Sequence, residues 1–315
     1  VCNLFFYLKR VLDLVRKKNM ENCSANLNHA IKWSELCFPE EISLEKIVRS
    51  GQCFRPREIF LSCFRFITKD SILYLKQVSA KELAFYINIT EEGDGEAREI
   101  TEKQWKKIWL PYFDGKRKYG KIERKSREDG YLQKCIAYGK GLRVLRQDPF
   151  ETLLTFILSQ RKSIPAIRSS VEKLCERFGE KQYSKVEEKE VYLFPRAEAL
   201  QDVDFSECSL GYRAPFVRDA VERVLEKRLD LRALDKVPTE ELLSKLMEVH
   251  GVGIKVAACV ALFAYSRMDI IPEDVWMKRI WDKAYCGENP YLNDPDGGII
   301  QQYLFHYAIH HKEEW

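Results

Sequence analysis

The stretch "VHGVGIKVAAC", Val249 to Cys259, places a Gly-x-Gly turn directly before an otherwise apolar helix that carries a lysine. Upstream, "VPTEELLSKLMEV" has the apolar spacing of an amphipathic helix that opens at Pro238. Downstream, a second helix is predicted to start near Ile254, because "HGVG" cannot continue the first one. The pattern therefore predicts a helix-hairpin-helix over residues 238–266.

The backbone amides of this hairpin indicate a phosphate-binding role. N–H groups at a hairpin and at a helix N-terminus lack an intrahelical partner, and such groups bind phosphate. We therefore expect Gly251, Val252 and Gly253 to hold nucleic-acid phosphates without reading base sequence. Simple packing explains many isolated Gly-x-Gly turns, but two flanking helices favour the binding role. A structural cation on the hairpin carbonyls would assist phosphate binding, although the sequence itself does not show one.

Lys255 lies in the first turn of the second helix, beside the positive end of the helix dipole. A cation is disfavoured at this position, which leaves more of the neutral amine, and a neutral amine is a nucleophile. The alternative interpretation is a lysine whose side chain only reaches phosphate or water.

Asp274 follows Lys255 by nineteen residues, in "IIPEDVWMKRIW", where a new helix is predicted to begin behind Pro272. An aspartate at this position is commonly an N-cap. A carboxylate that faces a nucleophilic amine can instead stabilise a developing oxocarbenium ion. Both interpretations are open from the residues alone.

With this spacing, "GVGIKVAAC" and "PEDVWM" resemble the helix-hairpin-helix DNA glycosylases, and among them the 8-oxoguanine DNA glycosylases that keep both the lysine and the aspartate. Further matches occur in the family's order and cover about residues 30–311. They are "SGQCFR" (50–55), "LPYFDG" (110–115), "LRQDPFE" (145–151), "LGYRAPFV" (210–217) and "QQYLF" (301–305). The resemblance implies a bifunctional enzyme, a DNA N-glycosylase that is also a lyase for abasic sites.

The resemblance assigns catalysis to Lys255 and Asp274. Lys255 would attack C1′ of a flipped nucleotide, expel the oxidised base and form a Schiff base, while Asp274 stabilises the transition state. β-Elimination would then cut the strand. Since the lysine supplies the nucleophile, we expect no organic cofactor.

The resemblance also assigns recognition of the flipped base. The Gly51 carbonyl would accept the N7 hydrogen that 8-oxoguanine has and guanine lacks. Cys259 and Phe305 would sandwich the base, and Gln301 would read its Watson–Crick edge. Without the resemblance, plain core packing is the simpler interpretation of Cys259 and Phe305.

The residues that would contact the DNA strand opposite the lesion depart from the family pattern. Tyr212 would wedge into the duplex where the base leaves. The best-known members surround the orphaned cytosine with an asparagine and two arginines, but "SQRKSIPAI" places Arg161 and Ala166 at two of these positions, so that only Arg213 is retained. This predicts a weak preference for cytosine opposite the lesion. Trp276 stands where the family has a histidine, which makes a phosphate contact by that side chain doubtful.

The fold predicted from the whole chain is α+β, an antiparallel sheet with flanking helices that packs on a mostly helical domain. "FLSCFRFITKDSILYLKQV" has two strand-like runs around Lys69 and Asp70, and "LAFYINI" adds a third. Asp148 is predicted to cap a helix, with Glu151 completing a capping box and Gly179 ending the next helix. Further helices are predicted at 215–228, 238–249, 254–266, 274–285 and 299–311.

We expect three regions along the chain. Residues 1–19 are interpreted as an N-terminal addition before Met20, residues 20–125 as the sheet domain, and residues 126–315 as the helical domain. The segment 91–99, "EEGDGEARE", is predicted to be a solvated loop.

Composition narrows the functional class only slightly. With 52 Lys and Arg against 48 Asp and Glu, the formal net charge is +4, which is compatible with DNA binding but too small to indicate it. The basic run 114–128 is most simply a solvated helix face. Ten cysteines without C-x-x-C spacing argue against zinc and iron–sulfur clusters, and so against the adenine and oxidised-pyrimidine glycosylases. We expect reduced, buried thiols, no metal site, and a surface position for His306, His310 and His311.

Two other functions remain open. An alkylated-base glycosylase of the same superfamily would lack a lysine at position 255, and a non-catalytic helix-hairpin-helix module would need neither Lys255 nor Asp274. For the favoured function we expect an intracellular monomer, in the nucleoid and cytoplasm or in the nucleus. Its partner would be damaged duplex DNA, with no membrane and no small-molecule cofactor.

Overall fold

The computed structural model describes residues 33–88 and 102–315 and has the predicted α+β architecture. Its N-terminal part is a five-stranded antiparallel sheet with the order β1-β5-β4-β3-β2, and helix α1 (Leu44–Arg49) connects the first two strands. The strands are β1 (Ser34–Cys37), β2 (Arg57–Phe60), β3 (Cys63–Thr68), β4 (Ser71–Gln77) and β5 (Glu82–Asn88). The predictions for segments 1–19 and 91–99 lie outside the described residues.

The predicted hairpin around Lys69 and Asp70 is confirmed, because Thr68 pairs with Ser71 at the end of the β3–β4 ladder. Lys69 has a φ of 50°, the left-handed conformation that a two-residue hairpin turn requires. The third predicted run forms β5. The short strands β1 and β2 contain only four residues each and were not distinguished in the sequence.

Both faces of the sheet are covered. On one face, Phe66 lies 5.0 Å from Phe113 and Phe85 lies 5.3 Å from Trp105, measured between ring centroids. These partners belong to a π-helical turn (Trp105–Trp109) and the residues that follow it. On the other face, a hairpin of β6 (Lys181–Ser184) and β7 (Lys189–Tyr192) packs on the sheet. Double coverage explains why β3 is buried along its whole length.

The β6–β7 hairpin was not predicted, and the second predicted domain is therefore not solely helical. Its sequence, "KQYSKVEEKEVY", is dominated by charged residues, so its few apolar positions give no clear alternation. Tertiary contacts hold it instead, since the Tyr74 hydroxyl hydrogen-bonds Ser184 Oγ at 2.6 Å and donates to Glu187 at 2.8 Å. The predicted boundary between residues 125 and 126 stays a prediction.

The five helices predicted by their residue ranges in the C-terminal half are confirmed, with each end within three residues of the expected position. Two short helices precede a longer pair, and five more follow. They are α2 (Gly120–Lys125), α3 (Gly130–Gly139), α4 (Pro149–Ser159), α5 (Ile164–Phe178), α6 (Ala214–Leu225), α7 (Thr239–Met247), α8 (Ile254–Tyr265), α9 (Val275–Ala284) and α10 (Gly297–His310).

Helix α8 is the centre of the helical part, with every residue from Val256 to Tyr265 buried. Helix α4 packs along it. The predicted cap of α4 is confirmed, since Asp148 Oδ1 accepts from the amides of Phe150 at 3.0 Å and Glu151 at 3.1 Å. The capping box is wrong, because Glu151 makes no return bond; the half-buried carboxyl instead interacts with Arg55, and desolvation raises its pKa to about 7.

Eight cysteines are described and all are free thiols; six are buried as expected, whereas Cys37 and Cys286 are exposed. Within residues 33–88 and 102–315, no group of three or more His, Cys, Asp or Glu side chains is arranged to hold a metal ion. No helix of these residues is long and apolar enough to cross a bilayer. In the basic run, Lys125 pairs with Asp294 at 2.6 Å and Asp296 at 2.8 Å.

Candidate active site

Lys255 lies in the first turn of helix α8, and its side chain faces helix α4. The side chain is half-buried, and Nζ lies 5.4 Å from the ring centroid of Phe156 on α4. Cys259 follows one helical turn further on, where burial raises the pKa of its thiol and the Lys255 charge opposes that rise. The amine makes no ion pair with any carboxylate in the described part of the chain. It is therefore not held as the counter-ion of a structural acid.

Lys255, Cys259 and Phe263 recur at four-residue intervals, and we call them the Lys255 stripe. The Phe263 ring stacks on Phe156 at 5.5 Å with an interplanar angle of 12°. Phe156 thus supports both ends of the stripe. This packing places the Lys255 amine beside the stacked rings of Phe156 and Phe263.

Asp274 lies near the same stripe. Burial raises the pKa of the Cys259 thiol, and the negative charge of Asp274 acts in the same direction, while the Lys255 ammonium opposes both. A thiol that stays neutral presents an uncharged, polarisable surface. The charges of Lys255 and Asp274 thus act in opposite directions on the Cys259 thiol.

Asp274 is also the N-cap of α9, so that its two interpretations are compatible. Its Oδ1 atom accepts from the amides of Trp276 at 2.9 Å and Met277 at 3.0 Å. Among the described residues, Oδ2 has no hydrogen-bond donor. One carboxylate oxygen therefore holds the helix terminus, and the other is available to a ligand. The Trp276 ring lies 5.3 Å from the guanidinium of Arg279.

Gly51 and Phe305 meet from opposite ends of the chain. Gly51 has a φ of +77°, and a Cβ built on it would lie 3.0 Å from Phe305 Cε1 and 3.6 Å from Ile164 Cδ1. A larger residue would be strained in its backbone and would push the Phe305 ring aside. No described residue donates to the Gly51 carbonyl. Two of the four predicted base-recognition residues are therefore in contact.

A buried glutamine ties the Gly51 loop to helix α8. Gln52 donates from Nε2 to Ser50 Oγ and the Arg143 carbonyl, each at 2.8 Å, and its Oε1 accepts from the Leu145 amide at 2.7 Å. Gln147 then donates from Nε2 to the Gln52 carbonyl at 2.7 Å.

The main-chain amide of Gln147 donates to the carbonyl of Phe263, the last residue of the Lys255 stripe, also at 2.7 Å. The Gly51 carbonyl and the stripe consequently belong to one hydrogen-bonded frame.

Gln301 lies one turn before Phe305 on α10 and is 4% exposed. Its Oε1 atom accepts a hydrogen bond of 2.9 Å from Nε2 of the neighbouring Gln302.

His306 on the same helix α10 is buried, which corrects its predicted surface position. Burial lowers the pKa of His306 to about 3, with further contributions from His310, Lys46 and His311.

The predicted wedge and opposite-strand residues lie in two adjacent turns. Tyr212 is 51% exposed in the 3-10 turn Gly211–Arg213. Arg213 is buried, and its guanidinium lies 4.3 Å from the Tyr212 ring centroid. It donates from Nε to the Gln160 carbonyl at 2.8 Å, from Nη2 to the same carbonyl, and from Nη1 to the Leu210 carbonyl at 3.3 Å. Arg161 is exposed, with a φ of 50°. Only Arg161 of the two arginines is free to move toward DNA.

The hairpin requires one correction to the predicted phosphate site. The Val252 amide donates to the Val249 carbonyl at 3.0 Å, and this turn bond removes it from the set of free amides. The amides of Gly251 and Gly253 have no acceptor among the described residues. The phosphate site is therefore reduced to these two glycines and the first turn of α8. The hairpin cation stays a prediction.

Gln160, which was not singled out from the sequence, connects the hairpin to the wedge. Its Nε2 donates to the Gly251 carbonyl at 3.0 Å, and its own carbonyl accepts from Arg213. Phe216 forms a second connection, since its ring lies 6.0 Å from Tyr212 and a Cβ on Gly251 would be 2.3 Å from it. The only sequence signal was a glutamine directly after the apolar end of α4.

The chain is similar to solved structures of 8-oxoguanine glycosylases over most of its length. A structure of MBOgg1 in complex with a low-affinity DNA ligand is 31% identical with a TM-score of 0.78, covering 89% of this chain and 99% of that one. The 8-oxoguanine glycosylase/lyase of Clostridium acetobutylicum, in complex with double-stranded DNA containing cytosine opposite 8-oxoguanine, is 29% identical with a TM-score of 0.77. It covers 90% of this chain and 99% of that one.

Sequence comparison gives the same result. A probable N-glycosylase/DNA lyase of Methanothermobacter thermautotrophicus is 29% identical over an alignment of 216 residues, with 58% of this chain and 68% of the relative covered. Residues 36–153 match the family described as "8-oxoguanine DNA glycosylase, N-terminal domain". The predicted resemblance is confirmed, and the chain belongs to the 8-oxoguanine DNA glycosylase family.

Proposed function

We propose that the protein excises 8-oxoguanine from duplex DNA and then cuts the strand at the abasic site, with Lys255 as nucleophile. The observation that carries this proposal is the half-buried Lys255 amine, which lies 5.4 Å from the Phe156 ring centroid, one turn from Cys259 on α8, and has no carboxylate partner among the described residues. The similar Clostridium enzyme is a glycosylase/lyase, which supports both activities. Base excision requires the target nucleotide to leave the stack and enter the site.

The proposed reaction uses the amine and the carboxylate in separate roles. The neutral Lys255 amine forms a bond to C1′ while the C1′–N9 bond breaks and its electron pair leaves with the base. Positive charge that develops at C1′ and the ring oxygen is stabilised by Asp274, whose Oδ2 has no donor within the described chain. Breakage of the C1′–O4′ bond, with a proton of the amine passing to O4′, converts the covalent intermediate into a Schiff base. Loss of a C2′ proton then expels the 3′ phosphate by β-elimination. No organic cofactor enters this scheme.

Recognition of the lesion is proposed to rest on the Gly51 carbonyl. 8-Oxoguanine carries a hydrogen on N7, whereas guanine has a lone pair there. An acceptor with no protein donor gains a hydrogen bond from the lesion and faces repulsion from guanine. The frame of Gln52 and Gln147 keeps that acceptor in place.

DNA binding is proposed to combine the hairpin amides with the Tyr212 wedge, coupled through Gln160. Gln160→Ala is expected to weaken affinity for a lesion duplex by about fivefold, because one hydrogen bond to the carbonyl of the half-buried Gly251 is lost. Binding titrations would measure affinity, and 2-aminopurine beside the lesion would report wedge insertion by its fluorescence. Both signals should fall together.

Gln133→Ala is the matched control for this prediction, because Gln133 also donates from Nε2 to carbonyls, those of Ser126 at 3.0 Å and Arg127 at 2.7 Å. Its affinity and fluorescence should equal those of the unaltered protein. Unchanged fluorescence for Gln160→Ala would contradict the proposed coupling.

We propose that the protein discriminates only weakly among the four bases opposite the lesion. The Ala166 side chain has no donor, the buried Arg213 is held by main-chain carbonyls, and of the two arginines only Arg161 is exposed. A bidentate contact to a base discriminates by about 1–3 kcal/mol, and no pair of such contacts is available here. Single-turnover excision from duplexes with 8-oxoguanine opposite each of the four bases should therefore differ by less than about tenfold.

Undamaged duplex is the control in this experiment, and it should release no base. Failure to release 8-oxoguanine from all four duplexes would contradict the proposed function. Release with a cytosine preference of about 100-fold or more would leave the function intact and contradict the weak reading of the opposite strand.

A further inference from the structure

Two adjacent glutamines occupy the apolar helix α10, and the family resemblance assigns a role only to the first, Gln301, which would read the Watson–Crick edge of the flipped base. Gln302 is 3% exposed, and its Nε2 donates to Gln301 Oε1 at 2.9 Å. Its own Oε1 has no hydrogen-bond partner among the described residues. A buried polar side chain with one bond, made to a substrate-reading residue, calls for an explanation.

The Gln302 bond determines which way the Gln301 carboxamide faces. One lone pair of Gln301 Oε1 is taken by Gln302, and Gln301 Nε2 bonds to no described residue. The amide then offers a donor, Nε2, beside the remaining lone pair of Oε1. The Nε2 donor can pair with O6 of 8-oxoguanine while the Oε1 acceptor pairs with N1–H. Adenine has the reverse arrangement, with N6–H₂ as donor and N1 as acceptor.

We propose that Gln302 is a positioning residue that fixes the Gln301 carboxamide and thereby makes the enzyme reject 8-oxoadenine. The inference rests on the proposed function and extends it to the choice between oxidised purines. The Gly51 carbonyl cannot make this choice, because both 8-oxopurines carry N7–H. Discrimination between them falls to the Watson–Crick edge.

Rotation of the Gln301 amide alone would accommodate adenine but would place two NH₂ groups against each other. The buried Gln302 donor would then lose its acceptor, which costs about as much as one hydrogen bond. A concerted rotation of both amides would restore the bond, and an enzyme that permits it would excise both lesions. Excision of 8-oxoadenine by the unaltered protein therefore tests the inference directly.

The experiment compares single-turnover excision of 8-oxoguanine and 8-oxoadenine from otherwise identical duplexes. The unaltered protein should favour 8-oxoguanine by at least about tenfold. Gln302→Met keeps the volume but removes the donor, and it should reduce this ratio to near unity. Gln302→Glu supplies only acceptors when ionised, which draws Gln301 Nε2 toward it, so its ratio should fall below that of Gln302→Met.

Gln182→Met is the matched control, since Gln182 is also buried and donates from Nε2 to one carbonyl, that of Asp70 at 3.4 Å. Its ratio should equal that of the unaltered protein. Comparable excision of both lesions by the unaltered protein, or an unchanged ratio in both Gln302 variants, would overturn the inference and leave the proposed function standing. Absence of 8-oxoguanine release by the unaltered protein would overturn both.

Discussion

Lys255→Gln is expected to reduce release of 8-oxoguanine by about 10⁴-fold or more, because it removes the group that forms the covalent bond. Glutamine keeps a polar side chain of similar reach but has no basic amine. The native side chain is half-buried and makes no ion pair within the described residues, so the fold should tolerate the exchange. Single-turnover base release measures the effect, and binding of the lesion duplex should persist.

Lys278→Gln is the matched control for this substitution. Lys278 is an exposed lysine of α9, and its side chain has no hydrogen bond or ion pair with the described residues. Its variant should release the base at the rate of the unaltered protein. A Lys255→Gln enzyme within about tenfold of that rate would show that another group starts the reaction.

Asp274→Asn is expected to slow excision by about 10²–10³-fold, since the charge that faces the developing cation is lost. Asparagine is as good an N-cap as aspartate, so the bonds from Trp276 and Met277 should survive and the thermal unfolding temperature should change little. Asp274→Ala removes charge and cap together, and it should lose a further ~1 kcal/mol of unfolding free energy. The two variants separate the catalytic role from the capping role.

Asp148→Asn is the control for the capping chemistry. Asp148 caps α4 with two amide bonds to Oδ1, from Phe150 at 3.0 Å and Glu151 at 3.1 Å, much as Asp274 caps α9. This variant should keep full excision activity. Equal activities for Asp274→Asn and the unaltered protein would reduce Asp274 to a structural cap.

Much of the helical part could be predicted because its signals are local. Helix ends marked by Asp148, Gly179 and Asp274 lie within one residue of the structural ends. The β6–β7 hairpin could not be predicted, since its stability comes from distant partners such as Tyr74. The reciprocal bond of the capping box failed for a similar reason, because Glu151 turns to a buried cluster that includes Arg55.

The predicted site residues came from motif spacing and the family resemblance, and the structure adds their mutual placement. Contact between Gly51 and Phe305 joins two distant segments and has no local signature. The turn bond that occupies the Val252 amide depends on how the hairpin closes. The roles proposed for Gln160 and Gln302 depend on single side-chain bonds, so composition and periodicity could not indicate them.

Borohydride trapping tests the central claim most directly. The unaltered protein would be mixed with a duplex carrying one 8-oxoguanine, reduced with borohydride, digested and mapped by mass spectrometry. The predicted result is a covalent DNA adduct on Lys255 that forms only with the lesion and is absent from Lys255→Gln. Base release without any adduct would contradict the claim, because it would indicate hydrolysis by water rather than attack by the lysine.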